Sequence, residues 1–184
     1  MRKITLLFLV LLVALSACTS TAEPPSPAVP TLGETREVTA GGFSFQVPPD
    51  YAARVVEGKV DLSDSQGSLI LHLYGEPADV GDQPFEQIVD SIVSEAMLRG
   101  NGVYEKSAVY AVTVGGIKGD GYNLSGTYFG APFEGQAVIV PRKGGGFFFG
   151  MGLALGQGEQ GRWQKEGKAV FQSILQTVQF TDKP

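Results

Sequence analysis

Two stretches decide the fold: Leu69-Ile70-Leu71-His72-Leu73-Tyr74, and Phe85-Glu86-Gln87-Ile88-Val89-Asp90-Ser91-Ile92-Val93-Ser94-Glu95-Ala96-Met97-Leu98. The first alternates, with leucines on one face and Ile70, His72 and Tyr74 on the other, the two-residue period of a strand. In the second, apolar residues recur at three and four: Phe85, Ile88, Val89, Ile92, Val93, Ala96, Met97. That is an amphipathic helix with one face to bury. Asp82 is a candidate N-cap, Pro84 lies in the first turn, and Gly100 is a candidate stop.

Alternation recurs on either side. Gly42 to Val47 reads as a strand stopped by Pro48-Pro49. Arg54 to Ser63 reads as one strand, followed by the turn Asp64-Ser65-Gln66-Gly67. After the helix, strands are expected at 107–114, 117–129, 133–140 and 147–155, with reversals at Gly130-Ala131-Pro132 and Lys143 to Gly146. In the last, Phe147, Phe149, Met151, Leu153 and Leu155 share a face. Phe148, Gly150, Gly152 and Ala154 form the other, small enough to admit a helix or a neighbouring backbone. A second helix spans roughly 159–175 and a short strand 177–180. Short connections make neighbours antiparallel. The fold class is therefore α+β: a twisted antiparallel sheet of about seven strands with two main helices packed on it, one on each face or both on one.

The chain has 184 residues, 43% of them hydrophobic and 18% charged, which suits one globular domain. Three parts are expected: a leader over 1–17, a tether over 18–37 and a single domain over 38–182. Arg2 and Lys3 precede an apolar run from Ile4 to Leu15. Twelve helical residues span roughly 18 Å, short of a bilayer core of about 30 Å, so the run reads as a secretory signal. Its end, Leu15-Ser16-Ala17-Cys18, resembles a bacterial lipobox. That resemblance implies that Cys18, the one cysteine of the chain, becomes the acylated first residue of the mature protein. It places the protein in a bacterial cell envelope, lipid-anchored and outside the cytoplasm. Thr19, in place of Asp, resembles the outer-membrane sorting rule where the host has two membranes. The Ser, Thr and Pro of the tether cannot build a core.

An opening Gly42-Phe43-Ser44-Phe45-Gln46-Val47-Pro48 precedes an aromatic at Tyr51. The chain closes with Ala169-Val170-Phe171, Ile174, Val178 and Phe180. With the long central helix, this order resembles the PsbP-like fold. That fold is shared by photosystem extrinsic proteins, Ran-binding Mog proteins and bacterial lipoproteins of the LpqN type. The resemblance covers residues 38–180. It implies an α/β/α sandwich and a non-catalytic accessory or binding module. It carries no functional residue across, because no invariant chemical motif is shared.

Composition excludes several chemistries. Lys plus Arg number 14 and Asp plus Glu 19, a net charge of −5 that becomes −7 once Arg2 and Lys3 are removed with the leader, so no nucleic-acid partner is expected. His72 is the one histidine, so a site needing two imidazoles is excluded, and no metal or cofactor is expected. A Ser-His-Asp triad would have to use it, yet it sits mid-strand and no G-x-S-x-G elbow exists. Asp61 and Asp64 flank a turn, but the twelfth position from Asp61 is His72, so turn chemistry accounts for them better than calcium. Gly156-x-Gly158-x-x-Gly161, with Asp182 further on, matches the dinucleotide fingerprint in letters only, because that motif opens a parallel βαβ array. No enzyme is expected.

Tyr122, Tyr128, Phe129 and Phe133 gather with Phe148 on a hairpin and a nearby strand. They read either as core or as an interaction surface for an envelope protein. The small-residue face at Gly150 and Gly152 is a second candidate surface. The expectation is a lipid-anchored accessory protein with a protein-interaction or assembly role. The alternative is a carrier of a small apolar ligand held in a pocket between sheet and helix.

Overall fold

The computed structural model describes residues 30–156, 158 and 161–181. The leader and Cys18 lie outside the described residues, as do most of the tether and Asp182. Eleven strands are present among the described residues. β1 (Thr35–Val38), β2 (Phe43–Gln46) and β11 (Gln179–Phe180) form a small antiparallel sheet with β2 in the middle. The large sheet holds β3 (Tyr51–Val56), β4 (Lys59–Asp64), β5 (Leu69–Glu76), β6 (Val103–Lys106), β7 (Tyr110–Val114), β8 (Ile117–Tyr128), β9 (Ala131–Pro141) and β10 (Phe147–Leu155). Its order is β3-β4-β5-β10-β9-β8-β6, with β7 on the first half of β8, and all its pairs are antiparallel.

β10 lies at the centre and is buried along nearly its whole length. Its odd residues Phe147, Phe149, Met151 and Leu153 face helix α1 (Phe85–Leu98), together with Ile88, Val89, Val93 and Met97. Its even residues Phe148 and Ala154 face helix α2 (Lys168–Thr177) and the small sheet, with Phe43, Phe45, Leu71, Phe171 and Ile174. The expected α+β class is what forms, with one helix on each face. Ile92 is only half-buried, on the margin of the α1 contact. The Arg142 guanidinium donates to the carbonyls of Gly41 and Gly42, fastening the small sheet to the end of β9.

Several local expectations need correction. The segment 54–63 is not one strand. It contains the end of β3, a turn at Glu57-Gly58, and most of β4. Both turn residues have positive φ, 47° and 80°, and a glutamate is not a residue that announces this conformation. β6 and β7 replace the single strand expected from Ser107, and β1 forms inside the stretch read as tether. The reversal after β8 is Phe129-Gly130, at φ 50° and 74°, while Ala131 and Pro132 already belong to β9. α1 starts after Pro84, which offers no side-chain cap, rather than from Asp82. It stops through Asn101 at φ 50°, not through a left-handed Gly100. Gly100 is small for another reason: a Cβ there would lie 2.3 Å from the Tyr128 ring. The second helix opens with a wide π turn over Trp163–Gly167 before α2.

Candidate functional site

An eight-stranded sheet is wider than one helix. Strands repeat every 4.8 Å or so, whereas a helix with its side chains is about 10 Å across. α1 packs over the centre of the sheet and leaves the outer face of β4 and β5 uncovered. A groove of about 250 Å³ results, lined by Lys59, Asp61, His72 and Tyr74 from the sheet, by Ile92, Glu95 and Ala96 from the helix and by Arg99 at its C-cap. Phe149 also contributes to its apolar part. Ile92 and Ala96 reach it because they lie one helical turn apart on the same flank of α1.

His72 and Asp61 are cross-strand partners in the β4–β5 register. Their side chains meet, with Nδ1 to Oδ1 at 2.6 Å. No hydroxyl or thiol shares a hydrogen bond with this ring among the described residues, so the pair is a dyad without a nucleophile. The Tyr74 hydroxyl donates to Glu76 Oε2 at 2.6 Å. Burial, then this hydrogen bond and the Glu76 charge, push its pKa up to about 12. Tyr74 therefore stays protonated at neutral pH and is no base. Lys59 Nζ stands over the Tyr74 ring, 5.2 Å from its centroid. Lys59, Glu95 and Arg99 take part in no ion pair among the described residues.

The aspartates and the glycine loop weighed against calcium and a dinucleotide in the sequence have structural partners. Asp64 accepts the Ser68 and Leu69 N–H groups on Oδ1, each at 3.0 Å, and Arg162 Nη2 lies 2.8 Å from Oδ2. Burial pushes its carboxyl up, but the Leu69 and Arg162 bonds outweigh that and hold it below the usual carboxylate value. Asp64 is thus spent on the turn and on Arg162, and Asp61 shares one oxygen with His72. Among the described residues no group of three His, Cys, Asp or Glu could hold a metal ion. In the glycine loop, the Gly158 N–H donates to Glu134 Oε1 at 2.8 Å. A carboxylate already occupies the donor a phosphate would want, and the preceding strand is antiparallel on both sides.

Of the aromatic set, Tyr122, Tyr128 and Phe133 are buried beneath α1. The Lys106 ammonium sits over Tyr122, 4.9 Å from the ring centroid, and pairs with Asp90 at 2.6 Å and Glu86 at 3.2 Å. Phe129 alone of the four is exposed, at 69%. The face at Gly150 and Gly152 is covered by Leu175, Phe171 and Trp163. Burial thus narrows the expected surface to Phe129. Lys59, Glu95 and Arg99 carry no motif, and only the position of α1 brings them to the groove. No helix among the described residues is long and apolar enough to cross a membrane.

No family model matches the chain, and no curated protein matches it in sequence. Solved structures do. The solution structure of cyanobacterial PsbP (CyanoP) from Synechocystis sp. PCC 6803 superimposes with a TM-score of 0.56 at 13% identity, over 90% of this chain and 98% of that one. The Ran-binding protein Mog1p of Saccharomyces cerevisiae gives 0.54 at 11% identity, over 83% of this chain and 97% of its own. LpqN of Mycobacterium tuberculosis, described as involved in cell envelope biogenesis, gives 0.46 at 15% identity over 86% of each chain, too low to add weight. The chain has the PsbP-like fold, and at these identities the likeness is one of fold alone.

Proposed function

We propose that this chain is a lipid-anchored, non-catalytic accessory protein of a bacterial cell envelope, held by acyl chains on Cys18, and that a protein partner docks in the groove between α1 and β4–β5. Where the host has two membranes, the residue after Cys18 assigns it to the outer one. The groove carries the reading. Its apolar wall of Ile92, Ala96 and Phe149 is bordered by Lys59, Glu95 and Arg99. An apolar centre with a polar rim is the anatomy of a protein interface, and three charges of both signs outside any ion pair among the described residues suit complementary charges on another chain. The Asp61–His72 dyad shares no hydrogen bond with a hydroxyl or thiol among the described residues, so it is not set up as a nucleophilic triad. Mog1p, of similar fold, is described as Ran-binding, which accords with protein recognition on this architecture.

The position of the groove, between sheet and helix, is where the second reading, the carrier of a small apolar ligand, would hold its cargo. A photoreactive residue in place of Glu95 separates the two. Irradiated in native cells, it is expected to yield one discrete protein adduct, whereas the same residue in place of Lys118 yields none. An adduct of small-molecule mass would move the reading to the carrier. No adduct at Glu95, or equal adducts at both positions, would overturn docking in the groove.

A further inference from the structure

We infer that the end of the large sheet bearing the Phe129-Gly130 turn rests on the lipid bilayer that carries the anchor. The inference deepens the proposal above and rests on acylation of Cys18. Three observations support it.

The first is an apolar corner. Phe129, Leu98 and Val103 are 69%, 80% and 69% exposed. They belong to segments bound to one another: the Phe129 N–H donates to the Gly100 carbonyl at 3.0 Å, and Val103 pairs with Thr127. The last residue of α1, the first of β6 and the tip of the β8–β9 turn thus present large apolar side chains at one place. Apolar residues gathered in this way mark an interaction surface.

The second is the backbone of Phe129. Its φ of 50° is a left-handed conformation that glycine or asparagine adopts more readily. A phenylalanine here is held in an unfavourable conformation, and although its ring leans on Tyr128, 4.6 Å between centroids, most of it faces solvent. An observed outlier of this kind points to function.

The third is the direction of the chain. By register, β3, β6 and β9 begin, and β4, β8 and β10 end, at the same end of the sheet. Pro30 and Thr31 lie there too, beside Tyr51, Asp64 and Gln66. The segment leading back to Cys18 therefore leaves the domain from the end that carries Phe129. Cys18 is twelve residues before Pro30, a reach of roughly 36 Å at about 3 Å per residue. From β4 to β8 is four strand spacings, roughly 19 Å. The tether is long enough to let this end lie flat on the membrane and short enough to keep it close. A lipid anchor binds more firmly with a second contact, and exposed Phe and Leu supply one at the interface.

The test uses the full acylated protein reconstituted in phosphatidylcholine vesicles whose acyl chains are brominated. Phe129→Trp is compared with Lys143→Trp, which lies on the β9–β10 turn at the opposite end. Both are exposed positions, and the native Trp163, 2% exposed, is common to the two. The tryptophan at position 129 is expected to lose about half or more of its emission to the bromines, as a side chain at the headgroup–acyl boundary would, and the one at 143 to lose none. Equal emission in protein that floats with the vesicles would overturn the bilayer contact and leave the anchor standing. Protein that does not float would overturn the anchor, and this inference with it. Emission at 129 that changes only in native membranes would assign the corner to a protein and equally overturn the inference.

Discussion

Val93→Asp is expected to abolish the cooperative folded state, or to lower Tm by roughly 10 °C or more for a domain of this size. Val93 is fully buried between α1 and the sheet, in a cluster with Phe149, Ile139 and Met151. The base that borders this cluster, Lys106 over Tyr122, is already paired with Asp90 and Glu86, so a carboxylate at Val93 would be desolvated and would have to compete for that one cation. An uncompensated buried charge costs about 3–5 kcal/mol, against a total stability of about 5–15 kcal/mol for a typical domain. Ile92→Asp is the matched control. Ile92 is half-buried at the groove, so its carboxylate keeps contact with water and the domain is expected to melt cooperatively within a few degrees of the parent. Thermal unfolding followed by circular dichroism reads both. Equal losses would mean that α1 is rotated about its axis relative to the sheet.

Gly152→Val is expected to be the next most damaging change. A Cβ at this position would stand 2.9 Å from Leu71 Cδ2, 3.0 Å from Phe171 Cγ and 3.0 Å from Trp163 Cη2. These belong to three different elements, and all are buried. None is the free end of a long flexible chain, so α2 and its π turn must lift from β10. Overpacking of a core costs about 1–3 kcal/mol, or roughly 3–10 °C in Tm. Because the indole of Trp163 touches the site, its fluorescence should shift to the red as water reaches it. A Tm within a degree of the parent, with unchanged emission, would show that the helix does not close on this strand.

Periodicity carried the legible part of the fold. β10 runs from Phe147 to Leu155, as its alternation indicates, and its two faces divide as large and small residues imply. α1 likewise follows its apolar period to Leu98. What stayed illegible depends on backbone conformations that residue type does not advertise. Glu57 and Phe129 take positive φ, and each turns the chain where propensity gives no warning; Asn101 suits its positive φ, but Gly100 beside it is the more obvious stop. The small sheet was hidden for another reason. β1 is a Thr-Arg-Glu-Val stretch with one buried side chain, and only its pairing with β2 makes it a strand. The site followed the same division. His72 and Asp61 drew attention by chemistry, and their register brings them together. The aromatic cluster was ambiguous because Tyr and Phe serve core and surface equally, and tertiary packing put three of the four inside. Lys59, Glu95 and Arg99 belong to no motif, and they define a rim only once α1 lies across the sheet.

The central claim is that this domain works at a membrane surface on a lipid anchor. The most direct measurement is the intact mass, with N-terminal peptide assignment, of the mature protein extracted from its native membrane. The account predicts a chain that begins at Cys18 and carries a diacylglyceryl thioether there, with or without a further acyl group on its amine. A chain that retains residues 1–17, begins elsewhere, or bears an unmodified Cys18 would contradict it.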